Sequence, residues 1–176
     1  MILNSNRNPN FNQNLNPNFN RVINPIYNHN LNPIYNHNLN PIYNRLLNPI
    51  YNHNINPIYN HNYNPIYNHN INPIYNHNIN PIYNRNINPI YNQSILGYYV
   101  FDKTLKVIEY IIPVAKDFIQ IFRWADNQNV KFGIKNHLNG FVLFDKNNNY
   151  FGHLIDDQQK GYVLFNSLNN WLGTVK

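Results

Sequence analysis

A chain of 176 residues with a net charge of +6 and no cysteine suits one or two small domains and excludes disulfides, thiolate metal sites and a cysteine nucleophile. The charge is uneven: residues 1–101 carry Arg7, Arg21, Arg45 and Arg85 and no acid, too dilute a field for the dense phosphate neutralisation of nucleic-acid binding. The first residues, Met1 to Arg7, lack a basic start followed by an apolar run, and no stretch approaches 18 apolar residues. No secretory signal or membrane span is expected, and a soluble cytoplasmic protein is the default.

Residues 8–95 are eleven consecutive octads that settle into the form N-P-I-Y-N-H-N-I. Pro recurs every eight residues from Pro9 to Pro89, an aromatic follows two places later, and the eighth place is aliphatic except at Tyr63. All 34 Asn between Asn4 and Asn92 stand at even numbers, an alternation with the period of a strand. Because Pro every eight residues interrupts any helical ladder, the expected element is an extended side plus an Asn-Pro corner. Two octads per coil would stack at about 4.8 Å into a β-solenoid-like rod roughly 26 Å long, with Tyr and Ile inside and Asn outside or at corners. The competing reading is a disordered, prion-like tract. The first two octads, with Asn10 and Asn18 where later ones have Ile, read as a polar end cap.

The sixth octad position is never apolar. Its residues Arg21, His29, His37, Arg45, His53, His61, His69, His77 and Arg85, flanked by Gln13 and Gln93, form a candidate surface-binding column, two columns if two octads make a coil. Imidazoles at His29, His37, His53, His61, His69 and His77 are possible metal ligands or carriers of charge below about pH 6.5. Arg interrupts the series and cannot ligate a metal, so a solvent-facing ladder is the simpler reading. The nine N-P-I-Y tetrapeptides from Asn24-Pro25-Ile26-Tyr27 onward also match the N-P-x-Y signal of phosphotyrosine-binding domains and distantly resemble the E-P-I-Y-A motif of bacterial effectors. Their flanks differ, and a Tyr buried in a core would be closed to a kinase.

After residue 95 the period changes. Gly97-Tyr98-Tyr99-Val100-Phe101-Asp102, Gly140-Phe141-Val142-Leu143-Phe144-Asp145 and Gly161-Tyr162-Val163-Leu164-Phe165-Asn166 align, each followed by a polar turn and a second apolar run. A degenerate copy from Phe118 fills the gap. Residues 96–176 are therefore expected to form an antiparallel β-meander of about four hairpins beside the array of residues 1–95, giving an all-β chain.

The octads together with hairpins of the form G-Y-x-V/L-F-D/N…W-x-G resemble a group of uncharacterised bacterial proteins with tandem N-P-x-Y-N-x-x-I repeats. The resemblance implies a shared architecture and carries no activity or functional residues. His137, His153, Asp156 and Asp157 form no catalytic constellation, and the Asp pair is expected in a solvated turn. The chain thus reads as a non-catalytic, rod-like scaffold or self-assembly platform with a capping or partner-binding β domain. No cofactor, membrane or small-molecule substrate is expected, and a protein partner or a second copy is. A metal or polyanion on the His/Arg columns, or ice on the Asn ladder, is the alternative.

Overall fold

The computed structural model describes residues 5–95 and 97–176. Residues 1–4, on which the expectation about a secretory signal partly rests, and residue 96 lie outside the described residues.

Eight strands follow the array: β1 (Tyr98–Asp102), β2 (Val107–Ala115), β3 (Phe118–Arg123), β4 (Asn129–Lys135), β5 (Phe141–Asp145), β6 (Tyr150–Asp156), β7 (Tyr162–Asn166) and β8 (Trp171–Val175). Each pairs antiparallel with the next, and β1 pairs with β8, so the sheet closes into a barrel. The expectation of about four hairpins is corrected: the sheet is continuous, and every one of its consecutive strand pairs is a hairpin. Four of those turns carried a sequence signal. Asp102, Asp145 and Asn166 each accept two backbone N–H groups through Oδ1, which draws the turn tight. In each, the third turn residue has a left-handed backbone: Leu105 at φ 64°, Asn148 at 66° and Asn169 at 61°.

Alternate side chains point into the barrel, where Val100, Ile111, Ile121, Leu143, Leu154 and Leu164 share one core. The outward side chains are equally apolar and equally buried, among them Phe101, Phe122, Phe144 and Phe165. A strand covered on both faces has no polar positions to alternate with, which explains the unbroken runs Tyr99-Val100-Phe101 and Val163-Leu164-Phe165.

The octad array supplies the outer cover, and it is neither a solenoid nor a stack of strands. Each octad makes two tight turns. In the third, Tyr27 and Asn28 both donate their backbone N–H to the Asn24 carbonyl, then Leu31 donates to Asn28 and Asn32 to His29. The second turn is a 3-10 turn in nine octads, as at His29–Leu31; residues 45–47 keep the same hydrogen bonds. Two Asn per octad organise this. Asn24 Oδ1 accepts from Ile26 N–H and Asn28 Oδ1 from Asn30 N–H, while their Nδ2 groups donate to the Pro17 and Val22 carbonyls of the preceding octad. The spacing of four between these capping Asn, plus polar Asn between them, puts Asn at even numbers and imitates the strand period. One octad is one step of the array, so the expected pair of octads per coil is also corrected.

The array runs round the outside of the barrel as a belt. Asn10 donates to the Leu105 carbonyl in the β1–β2 turn; Leu31 packs on Val163 and Phe165; Asn169 in the β7–β8 turn donates to Asn40, and Asn148 in the β5–β6 turn to Asn64. Ile71 lies over β3, where Gln120 Nε2 donates to its carbonyl, and Ile95 packs on Tyr99, Phe101 and Tyr110. Arg7 then closes the circuit: its guanidinium donates to the Ile95 and Gly97 carbonyls and sits 4.8 Å from the Tyr99 ring centre. The first octad is thus no free polar cap. It adjoins the last.

Three octads span two strands of the barrel, as the 24-residue step from Asn40 at the β7–β8 turn to Asn64 at the β5–β6 turn shows. Burial follows that step. Asn16, Asn40, Asn64 and Asn88 are all buried, as are Ile23, Leu47, Ile71 and Ile95, whereas Leu15, Leu39, Tyr63 and Ile87 are all half-buried.

Candidate surface: a stacked ladder on the belt

The eighth octad side chain and the Pro face the barrel; the third and fourth face solvent. Ile26 and its equivalents to Ile90 are 51–74% exposed, and Tyr27 and its equivalents to Tyr91 are 58–63% exposed. The expectation that Tyr fills an interior is therefore corrected. An octad with both turns hydrogen-bonded has only one narrow side on the barrel, and the small Pro and aliphatic groups occupy it.

The six His and three Arg at the sixth position each lie on the Tyr six residues ahead, in the next octad. His29, His37, His53, His61, His69 and His77 stack on Tyr35, Tyr43, Tyr59, Tyr67, Tyr75 and Tyr83 at centroid distances of 4.0–4.3 Å. Arg21, Arg45 and Arg85 cover Tyr27, Tyr51 and Tyr91 at 4.9–5.0 Å. A flat group is what the position requires, and imidazole and guanidinium both supply one. The predicted residues therefore lie in one row, each joined to a Tyr rather than to each other. Among the described residues no group of three His, Asp or Glu could hold a metal.

The Asn amides that would have formed an ice-matching ladder are largely spent within the belt. Asn44, Asn52, Asn60 and Asn68 all donate to the preceding octad and cap their own turn.

Two polar features escaped the sequence reading. Asp157 is buried rather than solvated: it is paired with Lys176 and accepts from the Gln159 and Gly161 N–H groups. His153 is buried beneath the belt, stacked on Phe165 at 5.7 Å, with Nδ1 3.3 Å from the Tyr150 hydroxyl. Burial pulls its pKa down to about 4, so the ring is neutral. A lone His in an apolar strand gives no signal of this kind until the opposite wall is known.

No family model matches the chain, and no curated protein or solved structure is significantly similar to it. Among the described residues no helix is long and apolar enough to cross a membrane.

Proposed function

We propose that this chain is a non-catalytic structural protein that self-associates through the outward face of its belt. The carrying observation is the row of exposed Ile and Tyr side chains, repeated from octad to octad. Consecutive octads touch through the stacks of His or Arg on Tyr, so the exposed Ile and Tyr side chains recur along one continuous row. Contiguous exposed apolar area beyond a few hundred Å² marks an interaction surface.

The occupant is a second copy of the chain. A track whose facets recur every eight residues is matched in spacing by itself. Within the octads the fixed charges are only Arg21, Arg45 and Arg85, so two such tracks meet with little repulsion. Sedimentation of the full chain over a wide concentration range tests this. The wild type is expected to associate, and the triple variant Ile58→Glu/Ile66→Glu/Ile74→Glu to stay monomeric with an unchanged melting temperature. A wild type that remains monomeric throughout, or a variant that associates equally, removes the proposal. High salt separates an anionic polymer as the alternative occupant: binding driven by the Arg and His row weakens with salt, whereas apolar association does not.

One observation favours a second reading. Each N-P-I-Y forms a hydrogen-bonded turn with its Tyr outward, so burial no longer protects the ring from a kinase. Incubation with ATP and a broad-specificity tyrosine kinase, followed by mass spectrometry, decides it; an unmodified chain removes this reading.

A further inference from the structure

Between octads three to five of the belt and the β4–β5 and β6–β7 ends of the barrel lies a cavity of about 440 Å³. That is the size of small-molecule sites, which run from about 300 to 1,000 Å³. Leu31, Leu39 and Leu47 come from the belt, facing Val142 and Ile155 of the barrel, and His153 contributes the imidazole. Asparagines, Leu138, Gly140, Leu154 and Gln158 complete the lining, and among the described residues Asp156 is its only charged one.

The outer barrel face carries other buried polar side chains, and their bonding sets His153 apart. Gln120 donates to the Ile71 carbonyl and accepts from Asn129. Tyr110, at the position in the first hairpin that His153 holds in its own, donates to Asn127. Thr174, the equivalent in the last hairpin, donates to the Tyr162 carbonyl. His153 is 3% exposed, and its Nε2 has no hydrogen-bond partner. A buried polar atom left unpaired is costly, and the residue that carries this one lines the cavity, so an occupant towards which the ring adjusts can supply the missing partner.

We propose that this cavity binds a small neutral molecule with an aliphatic or aromatic body and one carbonyl oxygen, which accepts a hydrogen bond from His153 Nε2. The direction follows from Tyr150. Its hydroxyl has His153 Nδ1 as its partner, and a phenol is the stronger donor of the two, so Nδ1 accepts and the ring proton stands on Nε2. The neutral class follows from the walls: the lining offers no cation for a carboxylate, and Asp156 repels one. The leucine and isoleucine walls take the body of the ligand.

The probe is 6-acetyl-2-dimethylaminonaphthalene, a neutral ketone whose emission shifts on entering an apolar, hydrogen-bonding site, titrated into the full chain. One saturable site is expected. His153→Phe, which keeps the ring stack on Phe165 and removes both nitrogens, weakens binding at least tenfold; Leu39→Trp, which fills the cavity, abolishes it. Nitrogen-15 spectra of the imidazole supply a second readout, in which the His153 Nε2 resonance moves on addition of the ketone. Absence of saturable binding overturns the proposal. So does binding that survives both substitutions, since the probe then sits on the exposed belt, and so does an unmoved Nε2 resonance, since a water then serves the ring. The belt's self-association is read separately by sedimentation, so either idea can fail alone.

Discussion

At the scale of single residues, asparagine is the side chain on which the belt depends, because one short amide holds both an acceptor and a donor. The acceptor caps a turn two residues on, and the donor reaches the preceding octad. Asp would lose the donor, and Ser would lose the reach. Asn64 shows the sum: it caps Ile66, donates to the Pro57 carbonyl and accepts from Asn148. Asn64→Ala leaves all three partners unpaired in a buried place and is expected to cost at least about 2 kcal/mol. Asn54→Ala, on the exposed side of the same belt, should change stability by no more than about 0.5 kcal/mol; urea denaturation compares the two. His153 makes a second prediction. Burial lowers its pKa from 6.5 to about 4, so the unfolded chain takes up a proton that the folded chain refuses. The stability it permits is whole above pH 6.5 and is lost as pH falls towards 4, by about 3 kcal/mol at most. Over that interval the melting temperature of the wild type should fall further than that of His153→Phe. Equal slopes would show that the ring is charged in the fold.

At the scale of elements, the strands and turns after residue 95 were legible in the sequence, their closure into a barrel was not, and the belt was misread. Gly97, Gly140 and Gly161 mark strand starts, and the structure gives the reason: a Cβ at Gly140 would lie 2.1 Å from the Leu154 carbonyl oxygen of the neighbouring strand, and Gly97 and Gly161 crowd Ile111 and Val175 in the same way. Gly140→Ala forces two strands apart and is expected to lower stability by more than about 2 kcal/mol, against almost nothing for Asn147→Ala in the exposed turn at the far end of β5. Asx turns and crowded glycines are local chemistry, so a sequence displays them. The octads display local chemistry too, in their Asn-Pro turns and capping amides, but capping groups four apart alternate in number as strand residues do. Their burial was illegible for another reason. It depends on a partner surface some hundred residues away, and the only hint was that the strands are apolar on both faces. The sixth-position row was found as a surface feature; its pairing with Tyr requires the length of one octad step, which no single octad contains.

At the scale of the whole molecule, two repeat systems are geared together: three octads of belt pass every two strands of barrel. Removal of residues 48–55 brings Asn72, with the same capping chemistry, to the place of Asn64, but leaves the belt one octad short, so that Arg7 and Ile95 cannot both keep their places on the barrel. That deletion should therefore destabilise far more than its few lost contacts, by about 4 kcal/mol or more, read as a melting temperature lowered by roughly 8–16 °C. An unchanged melting temperature would mean that the belt slides freely. Arg7→Ala opens the circuit without altering the step. It should cost about 2 kcal/mol and speed hydrogen exchange first in the octads nearest Ile95.

The Arg7 clasp bears on the order of events during synthesis. The octads leave the ribosome before any strand that could receive their leucines and isoleucines, and a ring closed at Gly97 could not then be threaded by a barrel. Wrapping must follow the making of its own mandrel, with Arg7 engaging last. A nascent chain halted before β8 would accordingly show a protease-sensitive N-terminal half, which turns resistant only when the remaining strand is released.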